Sequence, residues 1–275
     1  GVVAELRSRG VIDERTVVVL PTADALFPVM QHVLPVLGED PSNISLRYPV
    51  SRTPVASFLD ALLETVAARK HGRYRAPEYL AFLLHPYTKN MLLGKRSSAT
   101  RILVHAIEEI YFVGSSATFF ALNDVEAAGP VFERAAIMMG GETEGATADE
   151  LREHLIAIHD RTLRSFETVA TLGDFARAVI AVLSYIADGS TARRHPYFQP
   201  FALKYMDAMA RLERSSLGVW PCTSIDEAAM FLRQYSAHID HHFPGTPLEG
   251  LQVLGLSETR ALRFDRVCIL DANEG

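Results

Sequence analysis

The chain has little cysteine, no long apolar run and no excess of positive charge. Its two cysteines, Cys222 and Cys268, cannot build a disulfide framework, which favours a reducing compartment. No apolar run approaches the roughly 18 residues that a membrane span needs, and the first residues lack the basic and apolar regions of a signal peptide. We therefore expect a cytoplasmic protein without a membrane anchor.

The net charge of -6 argues against a protein whose main task is to coat nucleic acid, because neutralising phosphates requires concentrated lysine and arginine. Two local basic clusters are nevertheless present: Arg69, Lys70, Arg73 and Arg75 around Gly72, and Arg193, Arg194 and His195. Each is either a solvated surface or a phosphate contact, and the overall composition favours the solvated interpretation.

Motifs for catalysis and phosphate binding are also missing. A P-loop needs two glycines before its lysine, and the nearest approach, Gly94-Lys95-Arg96-Ser97, lacks the first and has an arginine interposed. Neither a Gly-x-Ser-x-Gly elbow nor a nuclease carboxylate pattern occurs. We assign no catalytic residue and expect no cofactor in this segment.

A histidine-rich stretch offers the one possible metal site. His238, His241 and His242, with Asp240, could ligate a metal, or they could be exposed residues at a helix C-terminus, where imidazoles suit the helix dipole. We favour the second interpretation and predict no metal.

Four apolar runs predict the strands of one mostly parallel sheet, and the last two are expected to be fully buried. These runs are Val17–Leu20, Asn43–Leu46, Leu251–Leu256 and Val267–Leu270. Apolar periodicity predicts helices over Ala23–Leu37 and Val55–Arg69. The chain therefore opens as a strand–helix–strand–helix unit of an α/β protein.

Strand signals vanish between about residues 72 and 218, where helical patterns accumulate instead. Thr147 and Glu150 have capping-box spacing, Asp174 is a candidate helix cap, and Ser224 and Glu227 form a second capping-box pair. We predict a discontinuous sheet domain of residues 1–71 and 219–275, interrupted by a helical insertion of residues 72–218.

The segment Leu251–Gly275 resembles motif V and its extension in superfamily 1 helicases of the UvrD type. The motif's loop reads roughly Thr-x-His-x-x-Lys-Gly-Leu-Glu-Phe, and Gly255–Phe264 (GLSETRALRF) keeps its hydrophobic framework. Gly255 and Ser257 stand where the family has the Thr and His that face nucleic acid. Arg263 replaces the glutamate that reaches the ATP ribose, and a donor-only guanidinium cannot accept the ribose hydroxyl hydrogen bond.

The spellings of Glu258–Asp265 and Asn273–Gly275 are closer to the degenerate helicase-like region of AddB-type proteins, which precedes a PD-(D/E)XK nuclease domain. Asn43–Val66 resembles the region of motif IV, where active helicases place an arginine on the γ-phosphate. The corresponding positions here, Val55 and Ala56, are apolar, and Arg47 and Arg52 have the wrong spacing to substitute. The two matched segments cover 25 and 24 of the 275 residues.

The resemblance implies a RecA-like second motor lobe carrying a helical insertion, from a bacterial helicase–nuclease of DNA repair and recombination. It implies a non-catalytic part with an architectural or DNA-guiding role. The expected partners are DNA, bound weakly through the parent protein, and a helicase–nuclease partner subunit. We expect the chain to be a middle portion of a longer protein.

Within the motif V-like loop, Ser257 and Arg260 are the candidate DNA contacts. Glu258 and Arg260 either pair with each other or leave Arg260 for DNA, and Arg263 could pair with Asp265 or Asp271. Two alternatives remain: a working second lobe of an ATP-dependent DNA translocase, with ATP and magnesium as cofactors, and an interaction module without a nucleic-acid role.

Overall fold

The computed structural model describes residues 4, 5, 8, 12–37, 41–113, 118–140, 145–195, 198–243 and 249–271. The chain forms two compact units. The sheet unit comprises Gly1–Pro49 and Asp240–Gly275, and the helical unit comprises Val50–Ile239. The stretch Asn273–Gly275, which carries part of the resemblance to AddB-type proteins, lies outside the described residues.

The sheet unit begins with a strand, broken helical turns and a second strand. In order these are β1 (Thr16–Leu20), a 3-10 turn (Ala23–Ala25), α1 (Leu26–His32), α2 (Leu34–Leu37) and β2 (Ser42–Pro49). The single helix predicted over Ala23–Leu37 is interrupted at Val33. Pro35 has no N–H to donate to the carbonyl of Gln31, one turn earlier, which accounts for the break.

The helical unit follows with mostly short helices. In chain order its helices and two short strands are α3 (Pro54–Ala67), β3 (Tyr74–Arg75), α4 (Ala76–Leu84), α5 (Pro86–Lys89), α6 (Ser98–Ala106), β4 (Phe119–Phe120), α7 (Leu122–Glu126), α8 (Gly129–Met139), α9 (Ala148–Arg161), α10 (Leu172–Gly189), α11 (Phe198–Arg214) and α12 (Ile225–Ala237). The antiparallel β3–β4 pair lies where the sequence predicts helices alone.

Side-chain caps begin several of these helices. Thr147 and Glu150 form the predicted capping box of α9. Thr171, rather than the predicted Asp174, is the N-cap of α10, and Asp174 is its capping-box partner. Ser224 caps α12 as expected. An acidic residue three positions into a helix can complete a capping box, which is why Asp174 looks like a cap although Thr171, three residues earlier, is the N-cap.

Helices α3 and α12 contact each other within the helical unit, and α3 also packs on α4. The apolar face of α3 is fully or almost fully buried at Phe58, Leu62 and Val66. Because these helices bury their faces inside the helical unit, the two units divide at Pro49/Val50 and Ile239/Asp240. The sequence-based boundaries at 71/72 and 218/219 assign both helices to the sheet part instead.

The chain returns to the sheet unit with β5 (Asp240–Phe243), β6 (Leu251–Gly255) and β7 (Arg266–Ile269). The five strands lie in the order β5-β2-β6-β1-β7. Strands β2, β6, β1 and β7 are parallel to one another, and β5 is antiparallel to β2. The prediction that the four apolar runs share one mostly parallel sheet is confirmed.

Two sequence-based expectations about these strands are wrong. Strand β7 is an edge strand, and Val267 and Ile269 are 54% and 52% exposed, so it is not fully buried. The helix before the histidine-rich stretch ends at Ala237, and His241 and His242 belong to β5 rather than to a helix end.

The described residues contain no group of three or more metal-ligating side chains. None of the described helices is long and apolar enough to cross a membrane.

Candidate nucleic-acid interface

The two chain connections that cross the sheet lie on opposite faces. The parallel register places Val17, Val19 and Leu254 on one face, where Phe264, from the connection between β6 and β7, packs against them. Tyr48 lies on the other face by strand alternation, and its ring centroid is 4.9 Å from that of Phe27, from the connection between β1 and β2.

This arrangement creates a topological switch point. Along the strand order, the connection from β1 runs past β6 to β2, whereas the connection from its neighbour β6 runs in the opposite direction, past β1 to β7. Right-handed crossovers that run in opposite directions must use opposite faces, as observed. In open parallel sheets, ligands bind beside the carboxyl ends of strands at such a point. The candidate site therefore includes the start of the segment Leu256–Asp265, which we call the crossover loop.

The crossover loop leaves the carboxyl end of β6 in a series of tight turns. The Glu258 N–H donates to Gly255 O (3.1 Å), the Thr259 hydroxyl donates to Leu256 O (2.7 Å), and the Leu262 N–H donates to Thr259 O (3.2 Å). Its last residue, Asp265, donates its N–H to the carbonyl of Arg15, before β1. Only the first part of the loop therefore lies at the carboxyl ends of the strands.

The carboxyl end of β6 is occupied by an acidic side chain. A Cβ at Gly255 would lie 2.4 Å from Glu258 Oε2 and 3.5 Å from Leu46 Cβ. The Glu258 carboxylate thus fills the space that a threonine at position 255 would need. An acidic group here disfavours phosphate at the carboxyl end of β6, whereas the later residues of the loop include Arg260 and Arg263.

The candidate residues Ser257 and Arg260, together with Arg263, are all exposed. Among the residues that the structure describes, Arg260 and Arg263 form no ion pair, so of the two alternatives for Arg260 the pair with Glu258 is not formed. Asp265 pairs instead with Arg15 at 3.4 Å. Two guanidinium groups are consequently available to solvent on one short loop.

Ala261 adopts an unusual backbone conformation. Its φ is 63°, in the left-handed region that favours glycine. In the motif V pattern that the loop resembles, this position is the glycine that follows lysine. The backbone at Ala261 therefore has the shape that the motif's glycine permits.

The two positions predicted as a degenerate nucleotide site, Val55 and Ala56, are buried in the first turn of α3. They belong to the helical unit. The Thr53 hydroxyl accepts the Ala56 N–H (3.3 Å) and donates to Val50 O (2.6 Å). Because one of the amides at this helix start is already bound by the protein itself, it is less able to receive an anion.

The structure adds a buried polar network that sequence reasoning missed. His159 Nδ1 donates to Glu126 (2.6 Å), and its Nε2 accepts from the Tyr79 hydroxyl (2.8 Å), a tautomer that follows from the acceptor-only carboxylate. Burial alone would raise the pKa of Glu126, but hydrogen bonds from His159 and Arg164 lower it to about 2. Burial lowers the pKa of His159 more than Glu126 raises it.

This network joins residues that are 33 to 80 positions apart in the sequence, so no local sequence motif predicts it. His159 and Tyr79 are both 0% exposed, which keeps a substrate from reaching either ring. The arrangement resembles a proton relay, but its burial makes it a stabilising element of the helical unit.

Three further segments that the sequence singled out are the glycine at position 94, the basic patch at Arg193 and the basic cluster around Gly72. Gly94 (φ 64°) lies in a tight turn closed by reciprocal hydrogen bonds between Leu93 and Arg96, which is not a P-loop. Arg193 pairs with Asp188 at 3.4 Å. In the cluster around Gly72, Arg69 lines a cavity of about 370 Å³ in the helical unit together with His71 and Gly72, a feature that the sequence does not reveal.

The chain matches no known protein-family model, and no curated protein matches it.

Proposed function

We propose that the chain is a catalytically inactive, helicase-like part of an AddB-like protein that processes DNA ends in repair and recombination. In this proposal residues 1–71 and 219–275, which include the motif IV-like helix α3, correspond to a RecA-like second motor lobe, and residues 72–218 correspond to its helical insertion. The segment guides DNA, while a partner subunit supplies any motor activity.

The observation that carries the proposal is the crossover loop. It begins at a topological switch point, where parallel sheets bind ligands, and presents the unpaired guanidinium groups of Arg260 and Arg263. The left-handed backbone of Ala261, at the motif's glycine position, supports the motif resemblance through a property that did not enter the comparison of letters. Arginine contacts phosphate without reading sequence, so the expected binding is sequence-independent.

Two features argue for a lobe without nucleotide chemistry. The motif V glutamate is replaced by the cation Arg263, and the start of α3 offers Val55 and Ala56, both buried, where active helicases place an arginine. Thr53 also binds an amide at that helix start. We therefore propose that the segment does not bind ATP.

Fluorescence anisotropy with a labelled single-stranded oligonucleotide tests the DNA role. Replacing Arg260 and Arg263 by alanine should weaken binding and reduce the slope of log K against log salt by about 1.4, because each phosphate contact on a single strand contributes about 0.7. Arg47→Ala, at an exposed arginine of the same unit outside the loop, is the matched control for each single variant, Arg260→Ala and Arg263→Ala. Equal losses in the control and the loop variant would refute a contact specific to the loop.

A further inference from the structure

A basic segment of the helical unit follows α3. Residues 69–75 read Arg-Lys-His-Gly-Arg-Tyr-Arg, five basic side chains in seven residues of a chain with net charge -6. We call Arg69–Arg75 the basic turn. Composition alone favours a solvated surface, so the conformation and partners of these side chains decide what the segment can do.

The basic turn is a tight reversal with its tip facing solvent. The Lys70 N–H donates to Arg73 O (2.8 Å) and the Arg73 N–H donates to Lys70 O (2.9 Å). His71 and Gly72 between them have φ values of 50° and 78°, the signs required by a type I′ turn. Lys70, His71 and Arg73 are exposed. The reciprocal hydrogen bonds hold these three side chains on one small projection.

The base of the turn is braced, whereas its tip is not. Arg69 pairs with Glu167 (3.2 Å) and lies over the ring of Tyr74, whose hydroxyl also donates to Glu167 (2.9 Å). Among the residues that the structure describes, Lys70, His71 and Arg73 form no ion pair. The tip thus carries two unneutralised cations on a supported base.

A cleft adjoins the turn. Its volume is about 370 Å³, within the usual range of ligand pockets, and Arg69, His71 and Gly72 form part of its lining. Phe166 contributes to an apolar wall, and the carboxylates of Glu167 and Asp226 also line the cleft. Cationic side chains and carboxylate acceptors therefore both line the cleft, and the exposed Lys70 and Arg73 lie beside it in the same turn.

We propose that the basic turn and its cleft bind single-stranded nucleic acid, with backbone phosphates at Lys70 and Arg73 and one base in the cleft. The acceptors inside the cleft disfavour a free inorganic anion but can accept hydrogen bonds from the exocyclic amino group of a base. A base reaches such a cleft only when it is unpaired and unstacked, which selects single strands over duplex. This inference deepens the DNA role proposed above and uses none of the crossover-loop residues.

Anisotropy titrations of the full chain with labelled oligodeoxycytidylate test the phosphate contacts. The Lys70→Ala/Arg73→Ala variant should bind more weakly by about eightfold for each lost contact at about 50 mM salt, with a salt slope lower by about 1.4. The matched control is Lys95→Ala/Arg101→Ala, which removes the same charge from exposed, unpaired positions of the same unit and should leave binding unchanged. Circular dichroism confirms that both variants are folded.

A second comparison tests the cleft. Oligothymidylate of the same length has no exocyclic amino group, so it should bind more weakly than oligodeoxycytidylate, and Asp226→Ala should reduce the difference. Wild-type affinity in the turn variant, or an undetectable affinity of the wild type at low salt, would overturn the inference. A loss in the Arg260→Ala/Arg263→Ala variant with none in the turn variant would overturn it while leaving the proposed function intact, and the reverse pattern would do the opposite.

Discussion

Acid should destabilise the helical unit through His154, and one substitution should isolate this effect. His154 lies on α9, is 8% exposed, and its Nε2 is 2.7 Å from the Thr100 hydroxyl. That hydroxyl donates to Met91 O (2.6 Å), so it accepts a hydrogen bond from the neutral imidazole. Burial lowers the pKa of His154 to about 4 from 6.5.

The direction of the effect follows from proton linkage. Between pH 6.5 and 4 the unfolded chain binds a proton that the folded chain excludes, so falling pH favours unfolding. The free energy of unfolding should fall by as much as about 1.4 kcal/mol for each pH unit, giving about 3 kcal/mol near the lower end of this window. Above the upper end, the contribution of neutral His154 is fully present.

The variant His154→Gln retains an amide donor for Thr100 but has no titrating group. Urea denaturation followed by circular dichroism, at several values between pH 7 and 4.5, should therefore show a shallower loss of stability than in the wild type. His105→Gln, at an exposed position on α6, is the control. His85 and His159 titrate in both proteins, so the difference between them reports on His154. Identical pH dependence in His154→Gln and the wild type would refute the reasoning.

Four further substitutions, at three positions, test the sheet unit and the buried network. Gly250→Ala should destabilise the protein by more than about 3 kcal/mol in urea denaturation, because its Cβ would lie 1.8 Å from Pro41 O at a φ of 80°, and a near-neutral result would contradict the packing. Ala261→Gly should change stability by less than about 1 kcal/mol, whereas Ala261→Val should lower it by about 2 kcal/mol, since a β-branched residue is strained in left-handed backbone; equal effects would argue against that conformation. Glu126→Ala should lower the free energy of unfolding by about 3 kcal/mol above pH 5, because it leaves His159 without its acceptor and removes one of the three acceptors of Arg164, and the loss should be smaller at pH 3 than at pH 7.

The sheet was largely predictable because its strands are dense apolar runs. Val17–Leu20 and Leu251–Gly255 are fully buried, and such strands need neighbours on both sides, which predicts a parallel sheet. Strand β5 was missed because Asp240, His241 and His242 have low strand propensity, and pairing with β2 overrides it. The partial exposure of β7 follows from its position at the edge of the sheet, which depends on the order of the strands and not on the local sequence.

The candidate site was predictable only in part. The pattern of the crossover loop indicated a functional segment, but the position of Phe264 across the sheet face and the carboxylate of Glu258 against Gly255 depend on tertiary packing. The basic turn was visible as composition, whereas its cleft arises from segments about a hundred residues apart in the sequence. Similarly, the Thr100–His154 contact joins α6 to α9 and has no local signature.

The most direct test of the central claim is the affinity of the chain for a labelled single strand, measured in low salt with and without magnesium ATP. A DNA-guiding lobe without nucleotide chemistry predicts measurable binding that weakens with salt and does not change when the nucleotide is added. A nucleotide-dependent change in DNA affinity that disappears in Arg263→Ala would contradict the account and favour a working motor lobe.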